Sequence, residues 1–101
     1  MVKHLIFWKL KDEYTEEEKA QIRAGIKEGL EGLAGKIPGM IDIHVRTEFL
    51  ESTNSDAMLD STFEDEAALK AYAKNPIHNA VADSKIRPHV QTRLCMDYVQ
   101  P

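Results

Sequence analysis

The stretch VKHLIFWKL, from Val2 to Leu10, carries large apolar side chains on both faces that an extended chain would present. Successive side chains of a strand alternate, so His4, Ile6, Trp8 and Leu10 point one way and Lys3, Leu5, Phe7 and Lys9 the other. A strand with one face in water alternates more cleanly between apolar and polar residues. This strand therefore needs something apolar against each of its faces.

The rest of the chain says what can lie there. Thr15 and Glu18 form a capping box ahead of Ile22, Ile26, Leu30 and Leu33, which recur at helical spacing. Gly25, Gly29 and Gly32 weaken this helix by roughly 1 kcal/mol each relative to alanine, and on its buried side they allow close approach to a sheet. Gly35 and Pro38-Gly39 end it. Met40 to Thr47 is predicted as a second strand, with Ile41, Ile43 and Val45 on one face and Asp42, His44 and Arg46 on the other. After the polar loop ESTNSD, a third strand runs from Met58 to Glu64, with a start near Asp56. Asp65 caps a second helix, EAALKAYAK, with Leu69, Tyr72 and Ala73 on one side. Asn75 caps a further short helix, in which Pro76 takes the first position and its missing N–H costs nothing. Arg87-Pro88 stops this helix, and His89 to Val99 is the last strand.

The order β-α-β-β-α-β predicts an α+β, ferredoxin-like protomer: a four-stranded antiparallel sheet with helices on one face. Ile6, Trp8, Leu10, Met58, Leu94, Met96 and Tyr98 cannot all belong to the helix side, so some must line the bare face. A patch of that kind is sticky on a monomer. The expected remedy is a homodimer through the sheet face, closing an α/β barrel.

At 101 residues the chain is read as one domain, residues 1–101, which buries roughly two-thirds of its unfolded surface. The net charge is −4 and the basic residues are scattered, so no stripe exists to neutralise phosphates and no nucleic-acid partner is expected. The apolar opening is too short for a secretory h-region or a membrane span, so no membrane partner and no targeting signal are expected. The one cysteine, Cys95, forms no internal disulfide; that suits a reducing, cytoplasmic setting. Cys95 itself reads as a buried small hydrophobe. His4, His44, His78, His89 and Asp97 fit no zinc spacing, and no phosphate loop or serine elbow is present, so neither a metal nor a cofactor is expected.

Three stretches, MVKHLIFWKLKDE, SDAMLDSTFEDEAALKAYAKNPIH and RPHVQTRLCMDYV, resemble the stress-responsive dimeric α/β-barrel (Dabb) family in order and spacing. The resemblance implies a ferredoxin-like protomer that dimerises through its sheets. The family includes a plant polyketide cyclase that closes a ring by aldol condensation, with a histidine as general base and a tyrosine beside it. By motif position these roles fall on His78 and Tyr72, and a first-strand histidine corresponds to His4. Many relatives carry a histidine just before the proline, where this chain has Asn75.

The chemistry of the residues fits that implication. Tyr72 and His78 flank an Asn-Pro corner that folds one helix back on the other, so side chains six apart can converge. An imidazole titrating near neutral pH can take a proton from an activated carbon, and a phenol can donate to a carbonyl oxygen where charge develops. The expected site is an apolar cavity between sheet and helices, with His78 and Tyr72 as catalytic residues and His4, Ile6, Trp8 and Met96 contacting a small, apolar, carbonyl-bearing ligand. The activity would be that of a cofactor-independent lyase or cyclase. The alternatives are a non-catalytic stress-response module, in which Tyr72 and His78 bond to backbone, and a cofactor-independent monooxygenase of related barrel fold.

Overall fold

A computed structural model describes residues 1–101. The elements in chain order are β1 (Val2–Leu10), α1 (Glu16–Glu31), β2 (Met40–Arg46), β3 (Ala57–Phe63), α2 (Glu66–Lys74), α3 (Pro76–Val81) and β4 (Val90–Val99). Between α3 and β4 the helix widens into one π turn, Ala82–Ile86. The strands form one antiparallel sheet in the order β2-β3-β1-β4. This is the ferredoxin-like arrangement.

Local chemistry sets the helix boundaries. The Thr15 hydroxyl accepts from the Glu18 amide at 3.1 Å, and the Glu18 carboxylate accepts from the Thr15 amide at 2.9 Å, completing the capping box of α1. Asp65 caps α2 by accepting from the Ala68 amide at 2.8 Å. Ile26 and Leu30 of α1 are fully buried, in one core with Ile43, Val45, Leu59 and Phe63 of the sheet. Each such side chain stabilises the fold by about 1.5–3 kcal/mol relative to an exposed one.

The glycines of α1 meet helix rather than sheet, contrary to the sequence expectation. A Cβ on Gly29 would stand 2.8 Å from Val81 Cγ1, and one on Gly25 would meet the Lys85 side chain. The gap at Gly29 lets α3 and its π turn pack beside α1.

The strand β1 has apolar residues on both faces, as its alternation predicts. Ile6, Trp8 and Leu10 all lie on the helix side, at 2%, 3% and 0% exposure. Strand alternation and register put Leu5, Phe7, Met58, Leu94, Met96 and Tyr98 on the bare face. Leu94 is 65% exposed, Met96 57% and Tyr98 43%, so the uncovered apolar patch centres on β1 and β4. Apart from Met58, the β2–β3 half of the same face is polar. There Lys3 donates to Asp60 at 2.6 Å and to Thr62 at 2.8 Å, and His44 and Arg46 are exposed.

Candidate functional site

The helices cover β2, β3 and β1 but stop short of β4, whose residues beyond Val90 are exposed. A cavity of about 700 Å³ opens in the space between. Ile6, Trp8 and His4 of β1 form its floor, Arg93, Cys95 and Asp97 of β4 extend it outward, and Tyr72 and His78 come from the helical wall. A volume of this size accepts a drug-sized organic ligand.

The wall is built by the Asn75-Pro76 corner. The Asn75 amide donates to the Tyr72 carbonyl at 3.1 Å, closing α2. The Asn75 side chain accepts from the Ile77 amide at 2.9 Å, opening α3, with Pro76 in its first turn. One residue thus ends one helix and starts the next. The turn brings the rings of Tyr72 and His78 to 4.0 Å between centroids, inclined by 36°. His4 meets Tyr72 edge-on at 6.0 Å, and Phe63 backs the tyrosine at 5.0 Å.

Tyr72 Oη and His78 Nδ1 are both shielded from solvent and neither has a hydrogen-bond partner. A polar atom buried without a partner costs about 1–3 kcal/mol, so such atoms are few in a folded protein; Asp42 Oδ1 is a further one. Burial pushes the Tyr72 phenol well above its ordinary range, against a smaller opposing effect of Arg93, and keeps it a donor. Burial also pulls the His78 pKa down, helped by the neighbouring Arg87, His4 and Arg93 and opposed by a smaller effect of the Tyr72 backbone carbonyl. The imidazole is therefore neutral near pH 7 and able to accept a proton.

At the floor, His4 Nδ1 and Asp97 Oδ1 lie 2.5 Å apart in a hydrogen bond that leaves Nε2 as the other nitrogen of the ring. Cys95 Sγ donates to the same carboxylate oxygen at 3.4 Å. Partial burial and the Asp97 carboxylate raise the Cys95 pKa, which keeps the sulfur a thiol rather than a nucleophilic thiolate. The donor atoms of His4, Cys95 and Asp97 fall within 4.8 Å of one another. A ring nitrogen and a carboxylate oxygen bound to one metal ion stand roughly 3.2–3.5 Å apart, so the closer pair is a hydrogen bond rather than a preformed ligand set.

The sites expected from sequence are only partly brought together. Tyr72, His78, His4, Ile6 and Trp8 all line the cavity, whereas Met96 does not. It pairs in register with Leu5 and shares that residue's side of the sheet, so alternation turns it onto the bare face. Cys95 and Asp97, its neighbours in the chain, take the cavity side, and Cys95 is exposed rather than buried as a small hydrophobe. Arg93 and Asp97 had no assigned role in the sequence reading. Their shared face with Cys95 was visible in the alternation of β4, but their closeness to His4 depends on the register between β1 and β4.

A ferredoxin-like sheet with an aromatic, histidine-bearing cavity under its helices and a bare apolar face defines the class of small α+β barrel proteins. Within it, the chain belongs to the stress responsive A/B barrel domain family, which matches residues 2–100. A dimeric protein of unknown function with a ferredoxin-like fold from Bacteroides fragilis is 31% identical; the match covers 96% of this chain and 93% of that one, with a TM-score of 0.88. A Dabb family protein from Mesorhizobium loti is 22% identical over 99% of this chain and 96% of that one, with a TM-score of 0.73. The hydroxynitrile lyase of Passiflora edulis is 18% identical over 99% of this chain and 93% of that one, with a TM-score of 0.72. At such identities the last two share the fold alone. No curated protein matches the chain. No helix is long and apolar enough to cross a membrane.

Proposed function

We propose that the protein is a homodimeric, cofactor-independent lyase or cyclase that binds a small, largely apolar carbonyl compound under its helices. One observation carries the reading: the neutral His78 imidazole and the protonated Tyr72 phenol stack at 4.0 Å in the wall of one cavity, and no side chain engages His78 Nδ1 or Tyr72 Oη. No side-chain bond holds either group, which leaves the pair able to meet a ligand.

The chemistry follows from the two groups. His78 takes a proton from the carbon next to the carbonyl, and the C–H electron pair moves onto the carbonyl oxygen as an enolate. Tyr72 donates its O–H to that oxygen as the charge grows. The enolate carbon then closes on a second carbonyl, or expels a leaving group from the adjacent carbon, and the imidazolium returns its proton. Ile6 and Trp8 supply the apolar floor, and His4, held by Asp97, supplies a further polar contact. A hydroxynitrile lyase built on this fold fits the reading, because lyase chemistry is at home on such a scaffold in at least that protein. The homodimer rests on the exposed Leu94, Met96 and Tyr98 patch and on the dimeric Bacteroides fragilis relative.

The test is deuterium exchange at the α-carbon of 4-phenyl-2-butanone in D₂O at pH 7, followed by proton NMR. The wild-type protein is expected to accelerate exchange over buffer, and His78→Ala to lose about 10²–10⁴-fold of that acceleration. Exchange no faster than in buffer, or unchanged in His78→Ala, would sink the assignment.

A further inference from the structure

We infer that the natural ligand is a monoanion: a carboxylate-bearing carbonyl compound whose carboxylate is held by Arg93. This deepens the reading of the cavity given above and rests on it.

Most of the charged groups that line the cavity are already engaged. Glu66 and Lys70 face each other at 3.7 Å at its mouth. Arg87 is engaged by Asp83 and by Asn79. Asp97 already accepts from His4 and Cys95. Arg93 alone among these charges has no ion pair, and the side-chain partner it meets is the weakly accepting Cys95 sulfur. The uncommitted donors are thus the Arg93 guanidinium and the Tyr72 phenol, while the carboxylate in the floor is taken. A guanidinium is never deprotonated and offers only donors, in a planar fork that matches a carboxylate.

Position agrees with chemistry. Arg93 sits opposite Trp8 in the register, on the cavity side of the edge strand, one pleat from Cys95. It lies close enough for its charge to act on Tyr72, His78 and Cys95. A ligand with its carboxylate on Arg93 therefore runs its apolar body across Trp8 and Ile6, with its carbonyl toward Tyr72 and His78. The anchored charge also fixes which carbon faces His78, which is how remote binding serves a reaction.

The experiment compares 6-phenylhexanoate with its isosteric neutral amide, 6-phenylhexanamide, by isothermal titration at pH 7 and low salt. The wild-type protein is expected to bind the carboxylate at least about 10-fold more tightly than the amide, as a charge-assisted pair allows. Arg93→Gln removes that preference, and Arg93→Lys keeps part of it. The circular dichroism of both variants matches wild type, since Arg93 is exposed. Equal affinity for acid and amide in the wild type, or a preference that survives in Arg93→Gln, overturns the anion assignment and leaves the ketone-exchange result untouched. If neither compound binds at millimolar concentration, the cavity reading itself fails and the anion assignment goes with it.

Discussion

Tyr72 and His78 stack at 4.0 Å across the Asn75-Pro76 corner, and each turns a partnerless polar atom into the protein interior. The cost of that arrangement predicts the first outcome. Tyr72→Phe keeps the ring that packs on Phe63 and His78 and deletes an unsatisfied hydroxyl. The variant is expected to equal wild type in stability or exceed it by up to about 1 kcal/mol, because burying that hydroxyl is a penalty. Its rate of ketone α-proton exchange is expected to drop at least about 10²-fold, the scale of losing an oxyanion donor. Urea unfolding and NMR exchange on the same sample check both halves; a large loss of stability would mean that the hydroxyl has a structural partner.

His78 ties stability to pH. Its folded pKa is lowered, chiefly by burial and then by Arg87, His4 and Arg93, so the unfolded chain binds its proton more readily than the folded one. The stability linked to His78 is complete above its unfolded value near 6.5 and declines as pH falls from there toward the lower folded value. Melting temperature measured from pH 8 to pH 5 is expected to fall less steeply in His78→Gln than in wild type across this window. Parallel curves would show that His78 does not carry the linkage.

Much of the frame was legible because it is local. Thr15 with Glu18, Asp65, and Asn75 with Pro76 each act within a few residues, and each caps the helix expected of it. The two-sided apolarity of β1 was equally plain, since alternation needs only the strand. What lay beyond reach was non-local. Ile6, Trp8 and Leu10 are all under the helices, and Met96 is not in the cavity, because those outcomes depend on where α1 and α2 settle and on which residue of β4 pairs with which of β1. The same register brings Asp97 to His4 across 93 positions of sequence. No periodicity encodes that meeting.

Gly39 provides a test of packing at the turn into β2. Its φ is +79°, and a Cβ there would stand 2.5 Å from the Ala68 Cβ on α2. Gly35 has nearly the same φ, +78°, with nothing within 4 Å. Gly35→Ala is expected to cost about 1 kcal/mol, the conformational penalty alone. Gly39→Ala adds a clash with a helix and is expected to cost about 2–4 kcal/mol. Urea denaturation of the two variants isolates the difference, and equal losses would mean that α2 shifts freely away from the turn.

The bare face makes the remaining prediction. Leu94 and Met96 are exposed on an edge strand beside Leu5 and Phe7, and a second copy covering them buries apolar surface on both chains. Sedimentation at micromolar concentration is expected to give a particle of twice 11.5 kDa. The double variant Leu94→Glu, Met96→Glu forces carboxylates into that contact, and association is expected to weaken at least about 100-fold. Leu50→Glu, a change at a loop residue that is 80% exposed, leaves the dimer intact and controls for added charge. Because assembly favours the folded chain, the wild-type melting temperature rises with protein concentration while that of the double variant does not. A wild-type chain that sediments as a monomer would leave the Leu94–Met96 patch without a partner, and the barrel would have no second half.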